Sequence, residues 1–177
     1  MTLDRRQALA LLAAGVVPAR LAQAQHQHEA AQASRQANAQ PYRPQFFTAE
    51  EHRFLDRVTE MILPADAHSP GASAAGVADF IDLVAANSSP VAQHQWQVSI
   101  QSLGGVTAFL ALDAAAQKAV LEKAAAGEQS PANDAEQFFV DLKRMTLHAY
   151  YTSEIGVRKE LGYLGPQALG SFPGCQA

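Results

Sequence analysis

Phe46-Phe47-Thr48-Ala49-Glu50-Glu51-His52-Arg53-Phe54-Leu55-Asp56-Arg57-Val58-Thr59-Glu60-Met61-Ile62-Leu63-Pro64 decides the fold class. Thr48 and Glu51 stand in the hydroxyl-x-x-carboxylate spacing of a capping box, which satisfies two of the orphan amides at a helix start. Phe54, Leu55, Val58, Met61 and Ile62 then recur at helical spacing. Pro64 ends the run, because proline has no amide hydrogen to donate and its ring clashes with the preceding turn. One amphipathic helix needs others to cover its apolar face.

The chain downstream supplies them. A loop over Pro64 to Ser73 holds Asp66, His68 and Pro70-Gly71, and a second helix is expected over about Ala74 to Ala86. Its apolar face is Val77, Phe80, Ile81 and Val84, with Asp79 and Asp82 turned away. Ser89-Pro90 starts a third helix, hydroxyl cap then proline in the first turn, with Trp96, Ile100 and Leu103 inward before Gly104-Gly105. Asp113 caps a fourth over Ala114 to Ala126, followed by Gly127 where a left-handed terminal residue is expected. A fifth begins near Asp134, with Phe138, Phe139, Leu142, Met145, Thr146, Ala149 and Tyr150 as its stripe and Lys143 and Arg144 outward. No alternating run bounded by hairpin turns occurs, so the fold class is all-α, a single small domain of about five to six helices over 46–161. Residues 162–177 are rich in Gly and Pro and read as an extended tail, whose Tyr163, Leu164, Leu169 and Phe172 need a surface to cover.

Upstream of this body the chain reads as an address. Arg5-Arg6 precedes the apolar run Ala8 to Val17, which Pro18 and Arg20 end at about half the roughly 20 residues a membrane span needs. Ala22 and Ala24 offer the small residues a signal peptidase reads, so 1–24 is expected to be a cleaved signal peptide. Losing Asp4, Arg5, Arg6 and Arg20 with it moves the formal charge from -4 to about -6. Arg5, Arg6 and Leu9 resemble a twin-arginine signal, whose translocase exports folded proteins, although Asp4 and Ala8 replace the usual hydroxyl and aromatic residues. An ordinary secretory signal with an arginine pair is the alternative. Residues 25–45, QHQHEAAQASRQANAQPYRPQ, carry too little apolar bulk to offset ordering and read as a flexible linker. His26 and His28 lie in that solvated tract without the further ligands a metal site needs.

Composition narrows the function. With 177 residues, 48% hydrophobic, one core is the expectation. A charge of -4 and a pI near 5.8 argue against phosphate-backbone binding. One cysteine, Cys175, leaves no internal disulfide framework or Cys-rich metal site, but an odd thiol in an exported tail suits an intersubunit disulfide. The sequence shows no glycine fingerprint for a dinucleotide, no Cys-x-x-Cys-His for haem and no nucleophile elbow. No catalytic, cofactor-binding or metal residue is therefore assigned to this chain. Asp66 and His68 are the nearest approach to an acid-base pair, and turn formation accounts for them better. Tyr150-Tyr151-Thr152-Ser153-Glu154 offers phenols, hydroxyls and a carboxylate that suit a core or an interface. Tyr150, Tyr151, Ser153 and Glu154, with Tyr163 and Phe172 of the tail, are the candidate partner interface.

These segments also carry a resemblance. Phe46-Phe47-Thr48-Ala49-Glu50-Glu51, Ile62-Leu63-Pro64-Ala65-Asp66, Pro70-Gly71-Ala72, Ala75-Gly76-Val77 with Phe80-Ile81-Asp82, Tyr150 to Glu154, and Pro173-Gly174-Cys175 resemble, in order and spacing, the gluconate 2-dehydrogenase subunit 3 family. The resemblance implies a small non-catalytic subunit of a periplasmic, membrane-associated dehydrogenase of sugars, polyols or sugar acids. It implies a large partner subunit carrying FAD and, as a third subunit, a multihaem cytochrome c. It further implies that this chain stabilises the flavoprotein and escorts it through twin-arginine export. Two other readings compete: a self-contained ligand-binding protein or enzyme built on the Asp66/His68 loop, and a homo-oligomeric scaffold.

Overall fold

Thr48 starts the first helix through both halves of its capping box. Its Oγ1 accepts from the Glu51 amide at 3.2 Å, and Glu51 Oε2 accepts from the Thr48 amide at 2.8 Å. In the computed structural model, which describes residues 42–165, this helix is α1 (Ala49–Ile62). Next come α2 (Val77–Ala86), α3 (Pro90–Ser99), α4 (Val106–Ala111), α5 (Ala114–Ala125) and α6 (Asp134–Thr152), then a π-helical turn at Gly156–Glu160. The described residues are helical with no strand. The expected signal peptide, most of the linker and the tail from residue 166 lie outside them.

α1 and α6 are the hub. α1 packs on α2, α4 and α6, while α6 also packs on α5, α2, α3 and the π turn. Phe54, Leu55 and Val58 of α1 are fully buried, as their spacing requires. Phe54 meets Phe109 edge-on at 5.1 Å and stacks near Phe138 at 6.4 Å, which ties α1 to α4 and α6. Buried Gln117 links three helices: its Oε1 accepts from Arg57 Nε at 2.8 Å and its Nε2 donates to the Phe109 carbonyl at 3.2 Å. Phe138, Phe139, Leu142, Thr146, Ala149 and Tyr150 form the buried stripe of α6.

Four features depart from the sequence reading. Asp82 does not face solvent: it is fully buried on α2, and its carboxylate accepts from the amides of Gln45, Phe46 and Phe47 at 2.7, 3.0 and 2.9 Å. The segment entering α1 has no helical partner for those amides, so a carboxylate from α2 supplies the acceptor. α2 begins at Val77, three residues later than expected, because Gly76 stands at φ 67° in the left-handed region and interrupts the helical run. α4 was not foreseen, since six residues between Gly105 and Leu112 are too few to show a period, although Val106 and Phe109 are both buried. Gly127 is not left-handed. It sits instead where a Cβ would overlap the Glu136 carboxylate group, whose Oε2 and Oε1 accept from the Ala132 amide and the Asn133 side chain, both at 2.7 Å.

The loop between α1 and α2 is built around a second carboxylate. Glu60 accepts from the amides of Ala65 at 3.2 Å and Ser73 at 2.8 Å, and Gly71 packs so close to it that a side chain there would displace it. Gly71→Ala is expected to break this arrangement and cost about 2 kcal/mol, a size typical of overpacking. Chemical denaturation of the two proteins side by side checks the figure.

Candidate functional site

The residues singled out from sequence fall into three places. In the α1–α2 loop, Asp66 forms an Asx turn: its Oδ1 accepts from the amides of His68 at 2.7 Å and Ser69 at 2.9 Å, and its own amide donates to the Ser69 carbonyl. The Ser69 amide foremost, then that of His68, holds the Asp66 carboxyl below its ordinary value by bonding its charged form. A carboxylate engaged this way with its own backbone is a turn former, and His68 meets it through its amide. A depressed folded-state pKa contributes order above the ordinary aspartate range that is lost as pH falls through the lowered value. An NMR titration is expected to place Asp66 below ordinary aspartates, with the amide shifts of His68 and Ser69 following it.

The second place is the C-terminal end of α6. Tyr150, expected at a partner interface, is 2% exposed and belongs to the core. Helical spacing puts it on the Leu142, Thr146 and Ala149 side, and its hydroxyl donates to the Pro70 carbonyl at 2.7 Å and lies 2.8 Å from Ser69 Oγ. Ser69 Oγ in turn donates to Glu160 Oε2 at 2.7 Å, so one serine joins the α1–α2 loop, α6 and the π turn. Ser153 caps α6 at the bend before the π turn: its Oγ donates to the Tyr150 carbonyl at 2.7 Å and accepts from the Gly156 amide at 3.0 Å. Tyr151, Glu154 and Tyr163 remain at the surface, Tyr151 edge-on to Tyr150 at 5.4 Å and Glu154 3.4 Å from Arg158. Leu161 and Leu164 are exposed beside Tyr163 in sequence, so the described chain ends on an uncovered apolar stretch. Phe172 and Cys175 of the tail, with Arg5, Arg6, Leu9, Ala22 and Ala24 of the signal, lie outside the described residues.

The third place was not anticipated from sequence. A groove of about 350 Å³ runs between α3 and α6, lined among others by the apolar Trp96, Val98, Phe138 and Met145 and the charged Asp134, Asp141 and Arg144. A signal for it exists in the chain: α3, PVAQHQWQVS, contains no Asp, Glu, Lys or Arg. Among the described residues no three His, Cys, Asp or Glu side chains are placed to hold a metal ion, and no helix is long and apolar enough to cross a membrane.

A family model for gluconate 2-dehydrogenase subunit 3 matches residues 49–166, from the first residue of α1 to just past the π turn. The chain belongs to the gluconate 2-dehydrogenase subunit 3 family. No curated protein and no solved structure matches it. The matched stretch covers the whole helical body, α1 to α6 and the π turn, and with it the Asp66 turn and the Ser69–Tyr150–Glu160 junction. A subunit-3-type chain is an accessory part of a dehydrogenase complex, and surfaces that would meet other subunits are the features to seek in it.

Proposed function

We propose that this chain is the non-catalytic small subunit of a periplasmic, membrane-associated, FAD-dependent dehydrogenase acting on sugars, polyols or sugar acids. The family match over residues 49–166 carries the reading. The exposed Tyr151, Leu161, Tyr163 and Leu164 support it, because a chain leaving its own core on apolar side chains needs another surface. In this reading FAD resides in the large catalytic subunit, and a multihaem cytochrome c subunit takes up its electrons. The small subunit stabilises the flavoprotein and, through the Arg5-Arg6 signal, brings it folded through the twin-arginine translocase. Cys175 forms a disulfide with the flavoprotein, holding the two together even where the noncovalent contact is modest.

Affinity-tagged chain recovered from periplasmic and membrane fractions is expected to bring with it a large yellow subunit with flavin absorbance. Recovery of a colourless monomer alone would refute the reading. Arg5→Lys/Arg6→Lys is expected to retain both subunits in the cytoplasm, and continued export of both would show an ordinary secretory route. Cys175→Ser is expected to remove a reducible high-mass band on non-reducing gels and leave the circular dichroism melt unchanged. An unaltered band would remove Cys175 from the joint.

A further inference from the structure

α3 differs from every other described helix in burying none of its residues. A helix that stays on the surface ordinarily presents charged side chains to water, yet α3 carries no Asp, Glu, Lys or Arg. Val91 is 81% exposed and Val98 53%, and their seven-residue spacing sets them on one side, two turns apart. Next to that side lies the α3–α6 groove. Buried Phe138, with half-buried Trp96 and Met145, contributes apolar lining, and Trp96 is braced from behind by Phe47 at 5.8 Å. The α6 side of the lining also carries Asp134, in the first turn of the helix, with Asp141 and Arg144, and these three form its charged edge. Arg144 is spent on Asp141 at 3.0 Å, which leaves Asp134 without an ion pair among the described residues and the edge net negative.

We infer that the α3–α6 groove is a docking surface for a segment of the large dehydrogenase subunit that inserts an apolar or aromatic side chain and sets a Lys or Arg against Asp134. The inference rests on the proposed subunit role and adds where and by what chemistry the partner is held. Charge complementarity selects the occupant. A second copy packed on this face by two-fold symmetry would turn the same net-negative edge toward itself, whereas a basic partner segment neutralises it. On the α3 side such a segment desolvates no charge, the condition under which an apolar contact contributes most to binding.

The test uses the full mature chain and the flavin-containing subunit purified with it. Val91→Asp/Val98→Asp alters only exposed side chains and is expected to keep the circular dichroism melt while weakening binding to the flavoprotein at least tenfold. Asp134→Lys is expected to weaken it severalfold and to reduce its dependence on salt. A photo-crosslinker at position 98 is expected to capture a flavoprotein segment containing an apolar residue next to Lys or Arg. Unchanged affinity in both variants, or a crosslinked segment lacking a basic residue, would overturn the proposal while leaving the subunit role standing. A homodimer dissolved by Val91→Asp/Val98→Asp would assign the groove to a second copy. Quenching of Trp96, the chain's one tryptophan, that rises in the isolated subunit when residues 166–177 are removed would assign it to the chain's own tail. If the wild-type chain binds no flavoprotein, the subunit role itself fails and this surface with it.

Discussion

Asp82→Ala is expected to destabilise the protein by about 3–5 kcal/mol, the range for removing one partner from a buried charge-assisted cluster. The substitution strips the acceptor from three amides, those of Gln45, Phe46 and Phe47, which the bent entry to α1 cannot satisfy by itself. Phe47 is 5% exposed and packs on Trp96, so freeing its amide also loosens the support of the α3–α6 groove. Against a total stability of about 5–15 kcal/mol this is a large fraction, and the melting temperature should fall by about 10–20 °C. Asp82→Asn, which keeps one oxygen acceptor and the shape, should recover part of the loss. A thermal melt in which Asp82→Ala shifts by less than about 3 °C would show that those amides find other acceptors at little cost.

Gly156→Ala is expected to expel the π turn. A Cβ at this position would overlap the Tyr150 carbonyl oxygen and lie 2.8 Å from the Tyr150 carbonyl carbon and 3.0 Å from Tyr151 Cα. All of these are backbone atoms of the α6 end and cannot swing aside as a side chain would. Overpacking of this kind costs about 3 kcal/mol, and the turn has a cheaper escape than the core: it opens locally. Opening abandons the bond from Ser69 to Glu160 and frees from its turn the backbone beside Arg158 and Lys159, whose side chains are already exposed. Each 1.4 kcal/mol is a factor of ten, so trypsin cleavage after Arg158 and Lys159 under native conditions should rise on the order of 100-fold. The helical melt should move far less than for Asp82→Ala. Equal cleavage of wild type and Gly156→Ala would mean that the turn is already open in solution. Since the tail carrying Cys175 follows this turn in the chain, the variant should also slow formation of the proposed intersubunit disulfide.

The two variants separate two jobs of the same fold. Asp82 holds the N-terminal entry against α2, and Gly156 lets the chain fold back over α6 so that Glu160 reaches Ser69. The docking groove lies between α3 and α6.

Local chemistry was readable directly from the chain. The Thr48 box, the Ser89-Pro90 and Asp113 starts, the Asp66 turn and the apolar stripes of α1 and α6 depend on residues within a few positions of one another. Side chains three or four residues apart share a helix face whatever surrounds them, and a cap reaches amides only two or three residues on. The all-α class and the family resemblance came from the same local strings. What the chain could not show is which polar group would be taken out of water by a residue far along it. Asp82 reads as an outward helical carboxylate until α2 is laid beside residues 45–47, some 35 positions earlier. Tyr150 reads equally as core or interface until Ser69 and Pro70, about 80 positions away, arrive at its hydroxyl. The groove beside α3 exists only because α6, far along the chain, comes to lie next to it and forms its other wall. Burial of a polar group and the shape of a groove are properties of pairs of distant elements, and only packing brings those pairs together.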